Sequence, residues 1–298
     1  MPTATRSGSW YVIIAALLWS TGGFFIKDVT LDGYSVSLWR SLFASLTLFI
    51  IYKLTVGKKA TARTEGWFTA RTIGTALIYS ALLILFVLAT KLTTSANAIF
   101  LQYTAPIYVL FFEPIISKSK IKRGDIIAVL ITISAMGLFF IGKFDTTSTL
   151  GNILALTSGV CFAAYALLLK HEKTDEAMRW QSVIVGHGII VISMLILWVM
   201  GITDPLPHHP KELLELSYLG IFQIGVAYAL FTTGIHYIRA LDALLLSMIE
   251  PVLNPVWVFL GIGETPTYWA IIGGAIILVV SAIRTYREGK VADLVAAE

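Results

Sequence analysis

Ten runs of roughly twenty mostly apolar residues succeed one another along the chain, and they leave it few ways to fold. They occupy residues 10–26, 34–54, 67–90, 95–116, 125–141, 150–169, 180–200, 214–237, 243–261 and 267–286. A run of that length matches the hydrocarbon core of a bilayer, where no water satisfies backbone N–H and C=O groups. Only helices and closed barrels solve that problem, and unbroken apolar runs, without the alternation of a barrel strand, select helices. The expected fold class is all-α integral membrane, with ten transmembrane helices. Composition agrees: 57% of the 298 residues are hydrophobic, 13% are charged, and mean hydropathy is +0.80. No ordinary soluble domain has that balance. The first run is short, yet it resembles residues 151–170, which stand too far along to be a signal peptide, so it is read as a span. Connections are short, which makes successive helices antiparallel neighbours. The two longer ones, 53–65 and 203–213, are too small to fold as domains.

The net charge of +4 is too small to make nucleic acid a partner. The basic residues instead orient the chain. With the N-terminus in the cytoplasm, only Lys27, Lys91, Lys143 and Lys211 face outward, and Arg40 lies within the second run. The rest of the 22 lysines and arginines fall on the inner side, so both termini are expected to be cytoplasmic. Cys161 is the only cysteine, which excludes an intrachain disulfide and argues against a thiolate metal site. No cofactor is expected, and no ATP-binding motif is present.

Five helices per half is an odd number, so the second half enters the membrane upside down relative to the first. The expected organisation is one integrated transmembrane domain made of two inverted five-helix repeats, 1–146 and 147–298. The repeat is visible in A-I-F-L-Q-Y-T-A-P, residues 98–106, and A-L-L-L-S-M-I-E-P, residues 243–251, which place Pro106 and Pro251 145 positions apart. Phe86 and Phe231, Leu83 and Tyr228, and Ile78 and Gln223 correspond at the same offset, and Trp19 stands near the place of Phe162. Inverted repeats allow one midplane site to be exposed alternately to either side, and matched helix breaks point to that site. Each proline removes a backbone hydrogen bond and crowds the carbonyl four residues earlier, at Gln102 and Ser247. Pro106 and Pro251 are therefore candidate hinges. Pro255 adds a second weak point where the first half has Leu110. The plainer alternative is a structural kink repaired by neighbouring helices.

Ionisable groups within a bilayer face a cavity or a partner. Glu250, in mid-span, is either a partner for a substrate ammonium or proton, or a neutral acid bonded to a neighbouring hydroxyl. Arg40 is expected to reach the outer interface or to pair with Asp28 or Asp32. Capture of a substrate carboxylate is its other reading. His187 and His236 are isolated, so structural hydrogen bonds are expected of them. His208 and His209 lack a third ligand at metal spacing. Trp10, Trp67, Trp180 and Trp269 sit near span ends, as an interfacial belt would. Deeper lie Trp19, Tyr79, Phe86, Tyr103, Tyr165, Tyr228 and Trp257. Helical spacing aligns Tyr79, Phe86 and Thr90, and likewise Ser247, Glu250 and Asn254. Rings of this kind offer area to an apolar side chain and hydroxyls to its polar end, or else they pack helices together. Gln102, Ser247 and Asn254 are able to hydrogen-bond a zwitterion, or equally a neighbouring helix. The candidate substrate-binding set is Trp19, Tyr79, Phe86, Gln102, Tyr103, Tyr165, Tyr228, Ser247, Glu250 and Asn254.

The order and duplication of several short motifs resemble the EamA type of the drug/metabolite transporter superfamily. They are A-A-L-L-W-S-T-G-G-F-F near the start, S-L-W-R-S-L-F-A in the second run, T-A-P in the fourth, and I-E-P-V-L-N-P-V-W-V-F-L-G-I-G-E-T-P-T and W-A-I-I-G-G-A-I-I-L in the second half. Within that superfamily the chain most resembles the YddG-type bacterial aromatic amino acid exporters. Glu264 departs from the duplication, because Ser119 stands at the matching distance after Pro106; a loop-capping role is expected of it. The resemblance implies a secondary transporter in the bacterial inner membrane, exporting neutral, largely aromatic amino acids as a monomer or homodimer. Export of drugs, lipophilic cations or other small metabolites is the alternative, and uniport and proton antiport are equally open. An organic-phosphate carrier is disfavoured, because only Arg40 is intramembrane and it lies near one end. A membrane enzyme is disfavoured too: neither H-E-x-x-H nor G-x-S-x-G occurs.

Overall fold

The computed structural model describes residues 2–55, 66–117, 120–138, 141, 148–171, 174–262 and 267–295. Glu264, Ser119, Lys58 and Lys143 lie outside them. Every regular element among the described residues is helical. The first half contains α1 (Pro2–Trp19), α2 (Gly22–Asp28), α3 (Gly33–Thr55), α4 (Ala70–Leu92), α5 (Ser95–Gln102), α6 (Ala105–Ser117) and α7 (Arg123–Leu138). The second contains α8 (Thr149–Lys170), α9 (Glu176–Val199), α10 (Pro210–Tyr218), a π-helical segment (Leu219–Val226), α11 (Ala227–Tyr237), α12 (Ala240–Ser247), α13 (Ile249–Ile262) and α14 (Tyr268–Val295). Nine of the ten apolar runs become helices, or end-to-end helix pairs, long and apolar enough to cross a membrane among the described residues. The remaining run is represented by α7, described for 16 residues.

Helix starts follow local chemistry. Thr69, Thr94 and Asp175 each accept a hydrogen bond from the backbone N–H three residues on, satisfying an orphan donor of α4, α5 and α9. Interruptions are equally local. The Ser20 and Thr21 hydroxyls bond back to the carbonyls of Leu17 and Leu18, where α1 gives way to α2. The fourth and ninth spans are each broken into two helices, at Tyr103–Thr104 and at Met248. Pro106 and Pro251 therefore do not kink continuous helices. They sit in the first turn of α6 and α13, where a missing N–H costs nothing. Across the first break, Gly159 of α8 lies against the Gln102 carbonyl, and a Cβ there would come within 2.6 Å of that oxygen. Interior prolines follow in both second pieces, Pro255 in α13 and Pro114 in α6.

The broadest helix contacts, α4 with α8, α1 with α11, and α9 with α3 and α4, all join one half to the other. The core therefore lies between the repeats. The duplication shows in equivalent packing: Gly8 of α1 meets Tyr237, while Gly151 of α8 meets Leu92, 145 positions earlier. The outer surface carries side chains such as Leu46, Phe111, Leu130 and Leu260, as a lipid-facing wall requires. Trp180 departs from the expected belt: it is buried against Tyr52.

Candidate functional site

Where the two halves meet, Trp19, Arg40, Phe86, Gln102, Gln223, Tyr228 and Glu250 line a central cavity together with Leu83, Phe162 and Ile224. Its volume is about 20 Å³. That is room for about one ordered water, far less than a small-molecule substrate needs. A second void of about 10 Å³ adjoins it, bounded by Ser37, Arg40, Ser41 and His187. Arg40 lines both.

The helix breaks build this place. The end of α1 delivers Trp19, whose ring centroid lies 4.8 Å from Tyr228, 5.1 Å from Phe231 and 6.0 Å from Phe162. The break after α5 turns Tyr103 inward, and its hydroxyl donates to Glu250 Oε2 at 2.8 Å, joining the two broken spans. Gln102 reaches α8, donating to Ser158 Oγ at 2.8 Å, and that hydroxyl donates to the Leu82 carbonyl. The π segment widens the eighth span, a distortion frequent at functional sites. Its Gly220 lies against Phe43 and the Arg40 carbonyl, which sets the segment on α3 and brings Gln223 to Arg40. Arg40 Nη2 donates to Gln223 Oε1 at 2.7 Å, and Gln223 Nε2 reaches the Trp19 carbonyl at 3.4 Å.

The structure thus gathers Trp19, Phe86, Gln102, Tyr228 and Glu250 around the cavity, with Tyr103 bonded to Glu250. Tyr79 and Tyr165 form a layer behind: Tyr79 lies 4.8 Å from Tyr228 and 5.0 Å from Tyr165, and shares a hydrogen bond of 2.9 Å with His187 Nε2. Ser247 and Asn254, like Tyr79, Tyr103 and Tyr165, do not line the cavity. Ser247 is buried and donates to the Ala243 carbonyl, and Asn254 lies beside Gly23 of α2. α12 ends at Ser247 and α13 begins at Ile249, so Ser247 stands on a different helix from Glu250 and Asn254. Trp257 donates to Ser20 at the α1–α2 junction.

Arg40 corrects an expectation. It pairs with neither Asp28 nor Asp32: Asp28 binds Lys211, and Asp32 accepts from Ser35 and Thr203. Nor is it near one end, because it stands about 10 Å along α3 from Gly33 and reaches inward. Gln223 was signalled only by a glutamine standing where the other repeat has Ile78.

The model of the EamA-like transporter family matches residues 6–141 and 149–285 of this chain. An uncharacterized transporter of Archaeoglobus fulgidus is 24% identical, over 92% of this chain and 94% of its own. Human solute carrier family 35 member G1 is 24% identical, over 93% of this chain and 78% of its own. The uncharacterized transporter YwfM of Bacillus subtilis is 24% identical, with 88% of each chain covered. A protein of known crystal structure superposes with a TM-score of 0.73 at 17% identity, covering 93% of this chain and 96% of that one, a likeness of fold.

Proposed function

The chain belongs to the EamA-like transporter family, a duplicated membrane transporter of the drug/metabolite transporter superfamily, and from that premise we propose that it exports neutral, largely aromatic amino acids by alternating access. The observation that carries this reading is the mixed lining of one central cavity. Trp19, Phe86, Phe162 and Tyr228 offer ring faces, while Gln102 and Glu250 offer polar groups beside them. A side chain with a ring gains offset or edge contacts there, and the ammonium group gains a carboxylate partner in Glu250. Tyr79 and Tyr165 brace Tyr228 from behind. Ser247 and Asn254 keep their proposed part only through rearrangement of the ninth span. The host membrane is proposed to be a bacterial inner membrane with both termini inside.

Alternating access is assigned to the broken spans. Tyr103 and Glu250 tie the two breaks together across the cavity, so movement of α6 or α13 at Pro106 or Pro251 is felt at the site. Because the repeats are inverted, each break gates the opposite face. Pro106→Ala and Pro251→Ala should shift the labelling of single cysteines at the two cavity mouths in opposite directions. An unchanged ratio in folded protein would make the prolines structural.

A second substrate class has its own observation: a carboxylate among rings also suits a lipophilic cation. Counterflow in protein-only liposomes separates the two, with and without a pH gradient. Saturable phenylalanine or tryptophan flux supports amino acid export. Flux of a lipophilic cation or an organic phosphate without amino acid flux would overturn it. Trp19→Ala should weaken aromatic substrates more than small ones; equal losses would assign Trp19 to packing.

A further inference from the structure

Arg40 is unlike Arg179 and Arg284, the two arginines that also reach into the protein. Arg284 pairs with Asp125 and Asp242, and Arg179 donates to the Thr174 carbonyl at 2.9 Å beside the start of α9. Arg40 is 3% exposed, stands in mid-molecule, and takes part in none of the ion pairs among the described residues. It holds the neutral Gln223 side chain through Nη2, and its buried Nε has no partner among the described residues. A guanidinium stays charged under all ordinary conditions, and burying it with no carboxylate in direct contact is costly; Glu250, across the same cavity, acts on it only at longer range. An arginine kept only for packing would be expected to reach backbone carbonyls or a carboxylate. Arg40 instead lines both central voids. The flat fork of N–H donors matches the two oxygens of a carboxylate.

We propose that Arg40 is the carboxylate-recognition residue of the central cavity, so that the transported molecule must carry a carboxylate, which replaces Gln223 Oε1 on the guanidinium. Glu250 lines the same cavity and supplies the complementary charge. A zwitterion satisfies both residues at once. A lipophilic cation satisfies Glu250 and leaves Arg40 uncompensated. A phosphate dianion satisfies Arg40 but meets Glu250. Gln223 is the internal stand-in that keeps the guanidinium hydrogen-bonded until substrate arrives, and its second contact, on the Trp19 carbonyl, carries its displacement to the junction of α1 and α2. This assignment rests on the transport reading above but not on the aromatic preference within it.

The test uses full-length protein in detergent and pairs of ligands that differ only at the carboxylate: phenylalanine with phenylalaninamide, and leucine with leucinamide. Ligand-induced thermal stabilisation reads binding. The acid of each pair should bind about tenfold to a hundredfold more tightly than its amide, the range for a buried charge-assisted hydrogen bond. In Arg40→Gln that preference should vanish, and in Arg40→Lys, which keeps the charge but not the fork, it should fall to an intermediate value. Equal binding of acid and amide by the unsubstituted protein overturns the proposal without any variant. So does a preference that survives in folded Arg40→Gln. If Arg40→Gln does not fold, the ligand pairs and Arg40→Lys decide. If leucine binds as well as phenylalanine and each beats its amide, Arg40 keeps its role and the aromatic preference fails. If aromatic amines bind as well as the acids, the aromatic cavity stands and the role of Arg40 fails.

Discussion

The two ends of the molecule close over the cavity with different chemistry. At the end carrying Arg239, the seal is ionic and buried. Arg239 and Arg284 meet Glu113 of α6, Asp125 of α7 and Asp242 of α12, with Arg284 at 2.9 Å from Asp125 and Arg239 at 3.0 Å from it. Glu113 also accepts from the Ala240 N–H at the start of α12. At the end carrying Lys211, the acids are held mainly by neutral donors. Asp32 takes hydrogen bonds from Thr203 and Ser35, and Glu212 from Thr30 and the His208 N–H, while the neutral Asn152 amide accepts from Thr93 and Asn97. Both seals join one repeat to the other. The repeat positions match while the chemistry does not: Asn97 of α5 corresponds to Asp242 of α12, 145 positions on. Ions exposed by opening regain hydration, so an ionic seal parts at less cost than its closed-state contacts imply. With one partner missing it fails badly. Neutral bonds lose little when any single one is removed. Symmetry of fold therefore does not impose symmetry of chemistry at the two ends.

The largest effect that separates the ends comes from Arg284→Met. It leaves Asp125 and Asp242, with side chains 4% and 2% exposed, to share Arg239. Loss of about 3–5 kcal/mol is expected, the usual consequence of breaking a buried pair from one side. Asn152→Ala at the opposite end should cost only about 1–2 kcal/mol, the scale of neutral hydrogen bonds. Thermal unfolding in detergent, with a cysteine-labelling readout at each mouth, compares them. Equal losses would break the distinction between the seals.

The number of spans was legible because apolar length alone signals a membrane helix. Glu250 was legible for the same reason: a carboxylate inside an apolar run stands out. The ionic seal was not, since Glu113, Asp125, Asp242 and Arg284 lie in four helices, Arg239 just precedes one of them, and all five meet only in the folded chain. Arg40 was placed wrongly because its surroundings depend on a π-helical turn 183 positions away. Periodicity does not foretell such a turn. Ser247 was grouped with Glu250 by counting through a helix that in fact ends at Ser247. A continuous helix was the tacit assumption, and proline followed by a new first turn is what removed it.

A smaller effect tests the neutral seal through pH. Burial raises the Asp32 carboxyl, but hydrogen bonds from Thr203, from Ser35 and from the Tyr34 N–H outweigh it and hold the group below its ordinary 3.8. The folded form thus binds its proton less readily than the unfolded chain. Its stabilisation is complete above the unfolded value and fades as pH falls through the folded one. Asp32→Asn keeps the Oδ1 acceptor that caps α3 and removes the titration, so its stability should decline less below about pH 4. Asp32→Ala should cost about 1 kcal/mol at neutral pH, the worth of a cap at an exposed position. A parallel decline for Asp32→Asn would assign the acid response to the other carboxylates.

The smallest effect is the most pointed. Lys211 forms close ion pairs, 2.6 Å to Asp28 and 3.1 Å to Glu215, in the same range as the Asp125 pairs of the buried seal. Distance alone would rank it with Arg284. Its side chain is 73% exposed, however, and that of Asp28 is 37% exposed. Water screens the attraction, and holding a long side chain in one geometry costs entropy that offsets what remains. When Lys211 is removed, Asp28 is left facing solvent, and Glu215, with a side chain 8% exposed, is the one buried carboxylate that loses a partner. Lys211→Ala should therefore shift the unfolding midpoint only slightly, through Glu215, and leave the labelling ratio at the two mouths unchanged. The same scan should show Arg284→Met well below both. If Lys211→Ala instead matches Arg284→Met, burial is not what distinguishes the two ends, and the Lys211 pair must act as a latch in its own right.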